Sequence, residues 1–181
     1  LGNEPYAEYY AYQVAEAMGL NAVEYNLRKY DGRLCSVCEL FTSKDISFVP
    51  ISRLVSKGGI STVTDYYKKL GDEHFDKLID MFVFDAVVCN TDRHFGNFGV
   101  LVDNHTNTVI DNAPIFDNGL SLWGFAMENE LDDISAYVNT RTPATYSDFM
   151  EFAKHYITNS QKQKLHKLQN IKFKKHPRYN W

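Results

Sequence analysis

Apolar positions along the chain fall first into a helical rhythm. In residues 5–19, Ala7, Tyr10, Ala11, Val14 and Met18 recur at intervals of three and four, which places them on one helix face. Pro5 suits a first turn and Gly19 suits the position just past a last one. Glu8 falls at the border of that stripe. The rhythm then becomes that of strands: residues 23–30 and 33–40 flank Asp31-Gly32, a pair that favours a two-residue hairpin turn. After Pro50 the segment ISRLVS predicts a short helix that Gly58-Gly59 ends, and 61–70 predicts another. A longer helix is expected from about Asp72 to just before Asn90, where Phe75, Leu78, Ile79, Phe82, Val83, Ala86 and Val87 follow the i, i+3, i+4, i+7 pattern. Residues 98–103 and 107–111 predict two short strands around the polar turn Asn104-His105-Thr106. The stretch 113–145 shows little regular pattern, and a loop of that length in a compact domain is usually functional. Two amphipathic helices, about 147–157 and 160–169, precede a tail, 171–181, expected to extend over the surface and pack its aromatics on the body. This order predicts an α+β fold with helices dominating the C-terminal half.

Composition narrows the class. At 181 residues, 44% hydrophobic and 23% charged, the chain matches one globular domain on a prior of about 150 residues, and not a disordered or coiled-coil segment. No apolar run approaches the roughly 20 residues of a membrane span. With 19 Lys+Arg against 23 Asp+Glu the net charge is −4, so direct nucleic-acid binding is not expected, although Lys172, Lys174, Lys175 and Arg178 crowd the tail. Cys35, Cys38 and Cys89 form an odd set, which predicts reduced thiols and a cytoplasmic setting. Cys35 and Cys38 have C-x-x-C spacing without a second pair, and residues i and i+3 of a strand face opposite sides. Two buried strand cysteines are expected there. No signal peptide is visible, and a chain opening on Leu1 is read as a piece of a longer protein.

The chemistry concentrates in Asn90-Thr91-Asp92-Arg93-His94-Phe95-Gly96-Asn97 and, beyond the expected strand pair, Phe116-Asp117-Asn118-Gly119. Asp92 and Asn97 stand five residues apart in a loop that follows a buried helix. Phosphoryl transfer needs a carboxylate to orient a hydroxyl and take its proton, a carboxamide oxygen for magnesium, and a second carboxylate that holds magnesium against phosphates. Protein kinases place these at D-x-x-x-x-N and after a short hairpin, and Asp92, Asn97 and Asp117 match that spacing. Arg93 admits two readings, a clamp on this loop or on a phosphorylated segment, and an ordinary surface ion pair. His94 is expected as a buried scaffold bonding the backbone around Asp92 and Asp117.

In N-T-D-R-H-x-x-N at 90–97, F-D-N-G at 116–119 and E-Y-Y-x-x-x-x-A-x-x-x-G-L at 8–20, the sequence resembles the C-terminal catalytic lobe of HipA-like protein kinases. The resemblance runs from about residue 3 to 170. It implies that Asp92 is the catalytic base, that Asn97 and Asp117 are magnesium ligands, and that ATP is the phosphoryl donor to a protein serine or threonine. It also implies that Glu8 pairs with an ATP-binding lysine and that 38–42, with Glu39, Leu40 and Phe41, form the hinge against which adenine sits. An antitoxin-like DNA-binding partner is implied by resemblance alone. On this reading 1–42 hold the glutamate helix and hinge, 43–170 the helical catalytic lobe and 171–181 the tail. No glycine-rich phosphate loop and no strand lysine for Glu8 occur in the chain, so either both lie upstream of Leu1 or the protein lacks them, and Glu8 is expected to reach water or another cation such as Arg93. Two other readings stay open: a non-catalytic kinase-like binding or regulatory module, and a metal-dependent hydrolase using Asp92, His94, Asp103, His105 and Asp117.

Overall fold

The computed structural model describes residues 3–55 and 57–179, so Ser56 at the end of ISRLVS and Trp181 of the tail lie outside the described residues. Helix α1, Glu4–Met18, carries Pro at its start and stops at Gly19, whose φ of 75° lets its amide turn back to Ala15 and Glu16. It buries Ala7, Ala11, Val14 and Met18, as the spacing predicts, and Ala15 besides, while Tyr10 of the expected stripe is half-buried. Strands β1, Asn26–Tyr30, and β2, Arg33–Val37, form the expected hairpin, with Tyr30 opposite Arg33 across Asp31-Gly32. Both turn residues have positive φ, 47° and 74°, the requirement that an Asp-Gly pair meets. The hairpin is shorter than its sequence pattern. Residues 21–23 instead run beside Ile115: Val23 N donates to the Ile115 carbonyl at 2.8 Å and Ile115 N to that of Asn21 at 2.9 Å. Past Val37 the chain leaves the ladder, and Cys38, Glu39 and Leu40 are exposed.

Strand β3, Ile46–Pro50, is not legible in the sequence. Its five side chains are all half-buried, so no alternation marks it. It pairs antiparallel with β4, Gly99–Asp103, which pairs in turn with β5, Val109–Asn112. The expected two-stranded hairpin is therefore a three-stranded sheet. Gly99 permits it, because a Cβ there would lie 2.1 Å from the Val49 carbonyl oxygen. Helices α2, Ile51–Leu54, and α3, Ile60–Leu70, follow as expected.

Helix α4, Asp72–Val88, forms the centre of the molecule. It is buried around most of its circumference: Met81, Phe84 and Val88 are inside together with Leu78, Ile79, Phe82 and Val83, whereas Val87 is exposed. Phe82 meets Phe98, Tyr146 and Phe152 edge to face at 5.0–5.7 Å. The patternless stretch holds a 3-10 helix, Glu128–Asp133, and α5, Ile134–Asn139. Local caps build them, and Tyr137 is their one buried residue, so no apolar stripe announces them. Helices α6, Phe149–Tyr156, and α7, Asn159–His166, close the core, and α7 runs on into a 3-10 turn at Lys167–Asn170. Buried Asp80 of α4 accepts from Gln161 at 3.0 Å and from Lys164, which ties α7 to α4. The tail is bound more closely than a surface extension: Gln13 bonds both main-chain groups of Lys174, and His176 is buried against Asn26 and Tyr9. Phe173 meets Tyr10 edge to face at 5.6 Å. No helix among the described residues is long and apolar enough to cross a membrane.

Candidate active site

The loop after α4 starts from a helix stop that uses no glycine. Cys89 takes a left-handed φ of 54°, which ends the helix and turns Asn90 inward, where it is fully buried. Asn90 Oδ1 accepts from the Asp92 amide at 3.0 Å, and its Nδ2 faces the Asp117 carbonyl and Asn118 Oδ1, each at 3.4 Å. One buried carboxamide thus spans both segments singled out by the sequence. Thr91 adds a second tie, its amide and hydroxyl both directed at the Leu120 carbonyl.

Arg93 is the central piece. It is 0% exposed, so the surface-ion-pair reading fails. Its Nε and Nη2 form a bidentate pair with the Asp85 carboxylate, both contacts 3.0 Å. Nη2 also donates to Asn118 Oδ1 at 2.7 Å, and Nη1 to the carbonyls of Asn97 and Phe116. The guanidinium therefore clamps the end of the first segment to the start of the second. Burial raises the Asp85 carboxyl above its usual range, and the guanidinium opposes that shift. Asp85 was not singled out in the sequence, and Asn90 and Asn118 stood inside the two motifs without a role of their own. A signal for Asp85 exists: it lies three residues from Phe82 and seven from Leu78, a charge on the buried face.

Within this frame Asp92 is half-buried, Asn97 is 7% exposed and Asp117 faces solvent. Asn97 Nδ2 donates to the Asp92 carbonyl at 3.1 Å, which fixes the carboxamide relative to the acid. Asp117 has a left-handed φ of 57°, a conformation that costs a non-glycine residue about 1 kcal/mol or more. Three bonds around it hold that geometry: Arg93 to the Phe116 carbonyl, Asn90 to the Asp117 carbonyl, and the Asp117 amide to Tyr25 Oη at 3.3 Å. His94 departs from expectation. It is exposed, and its Nδ1 accepts only the nearby Gly96 amide at 3.0 Å, because the buried scaffold position is taken by Arg93.

Glu8 reaches neither water nor Arg93. It is 6% exposed, Arg93 is committed to Asp85, and Glu8 Oε2 has no hydrogen-bond partner among the described residues. Its carboxyl is pushed up to about 7, mainly by burial and further by Asp117, against the opposing pull of the Asn118 amides and Arg93. The ordinary value is 4.5. Between those two values the unfolded chain gives up a proton that the folded chain keeps, so stability falls as pH rises through the window. Above it the penalty is on the order of 3 kcal/mol. Glu8→Gln should therefore raise stability by about 2–3 kcal/mol at pH 8 and leave it nearly unchanged at pH 4. Urea unfolding at the two pH values checks this, and an equal shift at both would show that Glu8 ionises normally.

Tyr25 lies between α1 and the second loop, near Glu8 and Asp117. Its hydroxyl accepts from the Asp117 amide, and its ionisation is shifted upward by burial and then by Glu8. Phe41 packs against Phe48 and Phe116 at centroid distances of 5.9 and 5.3 Å, which brings the segment 38–42 against the residue preceding Asp117. A cleft of about 560 Å3 runs along Cys38–Phe41, Glu24, Arg28 and Pro114. Glu39 and Leu40 line it, Leu40 being 86% exposed; Asp92, Asn97, Asp117 and Glu8 do not.

The other chemical candidates disperse. Asp103 accepts the amides of His105 and Thr106 in the β4–β5 turn, bonds that hold its carboxyl below the usual range, and His105 faces Asp45 at 3.0 Å. No group of three or more His, Cys, Asp and Glu among the described residues could hold a metal ion. Cys35 is half-buried and Cys38 exposed, not the two buried cysteines expected, because β2 ends at Val37.

The sequence model of the family described as HipA-like C-terminal domain matches residues 1–170. Over 135 residues the chain is 30% identical to the serine/threonine-protein kinase CtkA of Helicobacter pylori (strain J99), which covers 67% of this chain and 41% of that kinase. The chain thus spans less than half the length of the curated relative. The crystal structure of a Helicobacter pylori proinflammatory kinase, CtkA, superposes with a TM-score of 0.74 at 22% identity, covering 92% of this chain and 70% of that one. The chain belongs to the HipA-like C-terminal domain family, and its α+β fold is that of the CtkA structure.

Proposed function

We propose that this member of the HipA-like C-terminal domain family is an ATP- and magnesium-dependent kinase lobe that transfers the γ-phosphoryl group of ATP to a serine or threonine hydroxyl of a protein. The observation that carries the reading is the buried Arg93 guanidinium, which binds the main chain on both sides of the Asp92–Asn97 and Asp117 oxygens. The printed activity of the CtkA relative, a serine/threonine kinase, supports the hydroxyl acceptor.

On this reading Asp92 orients the acceptor hydroxyl and takes its proton. Asn97 and Asp117 present a neutral and a charged oxygen, and among the described residues no hydrogen bond occupies Asn97 Oδ1 or the Asp117 carboxylate. That hard-oxygen pair suits magnesium, which keeps waters for its remaining positions. Bound magnesium would neutralise phosphate charge during transfer. Glu39, Leu40 and Phe41 offer the hinge for adenine, beside a cleft of sufficient size. Glu8, buried with an unpartnered oxygen, suits a lysine supplied by a longer chain, and such a lysine would restore its ordinary acidity. Unpaired Cys35, Cys38 and Cys89 support a cytoplasmic setting.

Asp117→Ala separates this reading from a non-catalytic one. In the full protein, ATP affinity measured calorimetrically with magnesium should fall at least about tenfold. With magnesium chelated, variant and parent should bind alike. Equal affinity in the presence of magnesium would reduce Asp117 to a turn residue and remove half of the proposed metal site.

A further inference from the structure

The segment after F-D-N-G turns its apolar residues outward. Met127, Leu131, Ile134 and Val138 lie within twelve residues of one another and are 71%, 40%, 50% and 42% exposed. The 3-10 helix Glu128–Asp133 buries nothing and α5 buries only Tyr137, so the segment leaves these apolar side chains in water. Folded chains rarely leave such a face bare unless it binds something.

Both ends of the unit are fixed to the loop that carries Asp92. Upstream, Thr91 bonds the Leu120 carbonyl and the Leu122 amide bonds that of Val88. Downstream, Thr145 Oγ1 donates to the Arg93 carbonyl at 3.4 Å, and Arg141 lies 4.4 Å over the Tyr137 ring. The apolar face is therefore carried on a bridge that leaves the Asp92 loop and returns to it.

Charge selects the occupant. Glu128, Glu130, Asp132 and Asp133 flank the face, and no Lys or Arg occurs between Asp117 and Arg141. An anionic lipid surface would be repelled, whereas an apolar segment carrying Lys or Arg would be attracted. We infer that the outward face of residues 127–138 docks a basic amphipathic segment of the protein that bears the acceptor hydroxyl. The identity of that partner as acceptor rests on the kinase reading. Docking follows the helix-in-groove logic, with apolar anchors for affinity and rim charges for register and choice.

The test uses the full protein and two synthetic amphipathic peptides, one of Leu and Lys with a single Ser, the other with Glu in place of Lys. Fluorescence anisotropy without nucleotide reads binding; phosphorylation with ATP and magnesium is read separately. The Lys peptide should bind about tenfold or more tighter than the Glu peptide. Leu131→Ser with Ile134→Ser, and independently Glu128→Lys with Asp132→Lys, should each weaken it by about tenfold and raise KM while kcat stays unchanged. All four positions are exposed and cap nothing, and circular dichroism melts verify that the variants fold. Equal binding of both peptides overturns the inference, as does insensitivity to both pairs of variants. Self-association that the stripe variants abolish, seen by sedimentation, assigns the face to a second copy and overturns it too. Variant-sensitive binding without phosphoryl transfer keeps the docking face and overturns the kinase reading; transfer that ignores the variants does the reverse.

Discussion

Arg93→Met should destabilise the folded chain by about 3–5 kcal/mol, the usual cost of removing one partner of a fully buried ion pair. Both Arg93 and Asp85 have 0% side-chain exposure, so water cannot replace the lost guanidinium at Asp85. The carbonyls of Asn97 and Phe116 and the Asn118 Oδ1 lose a donor at the same time. A domain has only about 5–15 kcal/mol in total, so this single change should bring it close to unfolding at room temperature. Asp85→Leu combined with Arg93→Met removes the orphaned acid and should recover a large part of the loss, although the two loop segments would remain unclamped. Urea unfolding of the parent, the single and the double variant measures both quantities. A loss below about 1 kcal/mol in the single variant would show that the pair does not frame the site.

Asp92→Asn should lower turnover of the full protein by about 10²–10⁴-fold while leaving nucleotide affinity within about twofold. The geometry makes this substitution clean. Asn90 and Asn97 hold residue 92 through its main-chain amide and carbonyl, so the loop keeps its shape when only the side-chain charge is removed. On the proposed kinase reading, what is lost is the group that accepts a proton from the acceptor hydroxyl. Steady-state phosphorylation of a serine peptide alongside calorimetric titration of ATP separates the two effects. Unchanged turnover would take the base assignment away from Asp92, and a matching loss of affinity would show a binding role.

The parts legible in the sequence are those that local pattern encodes. A stripe of small and apolar residues marks α1, a dense i, i+3, i+4 pattern marks α4, and Asp31-Gly32 marks its turn, since each depends on residues a few positions apart. The D-x-x-x-x-N spacing of Asp92 and Asn97 is legible for the same reason, as is Asp117 beyond a hairpin. Strand β3 escapes because half-burial on both faces leaves no alternation, and α5 escapes because it presents its apolar side to water.

The frame of the candidate site is of another kind. Arg93 finds Asp85 eight residues back and Asn118 twenty-five residues on, and Asp117 finds Tyr25 ninety-two residues away. In sequence these are unremarkable polar residues, and only the packing of α4, α1 and the two loops makes them partners. The same packing exposes His94 and buries Glu8, reversing what spacing predicts for the histidine and leaving the acid without a cation. Sequence by itself determined which side chains could do chemistry, because that depends on residue type and local spacing. Tertiary structure decided which of them are held, ionised and exposed, because burial and long-range hydrogen bonds are properties of the assembled core.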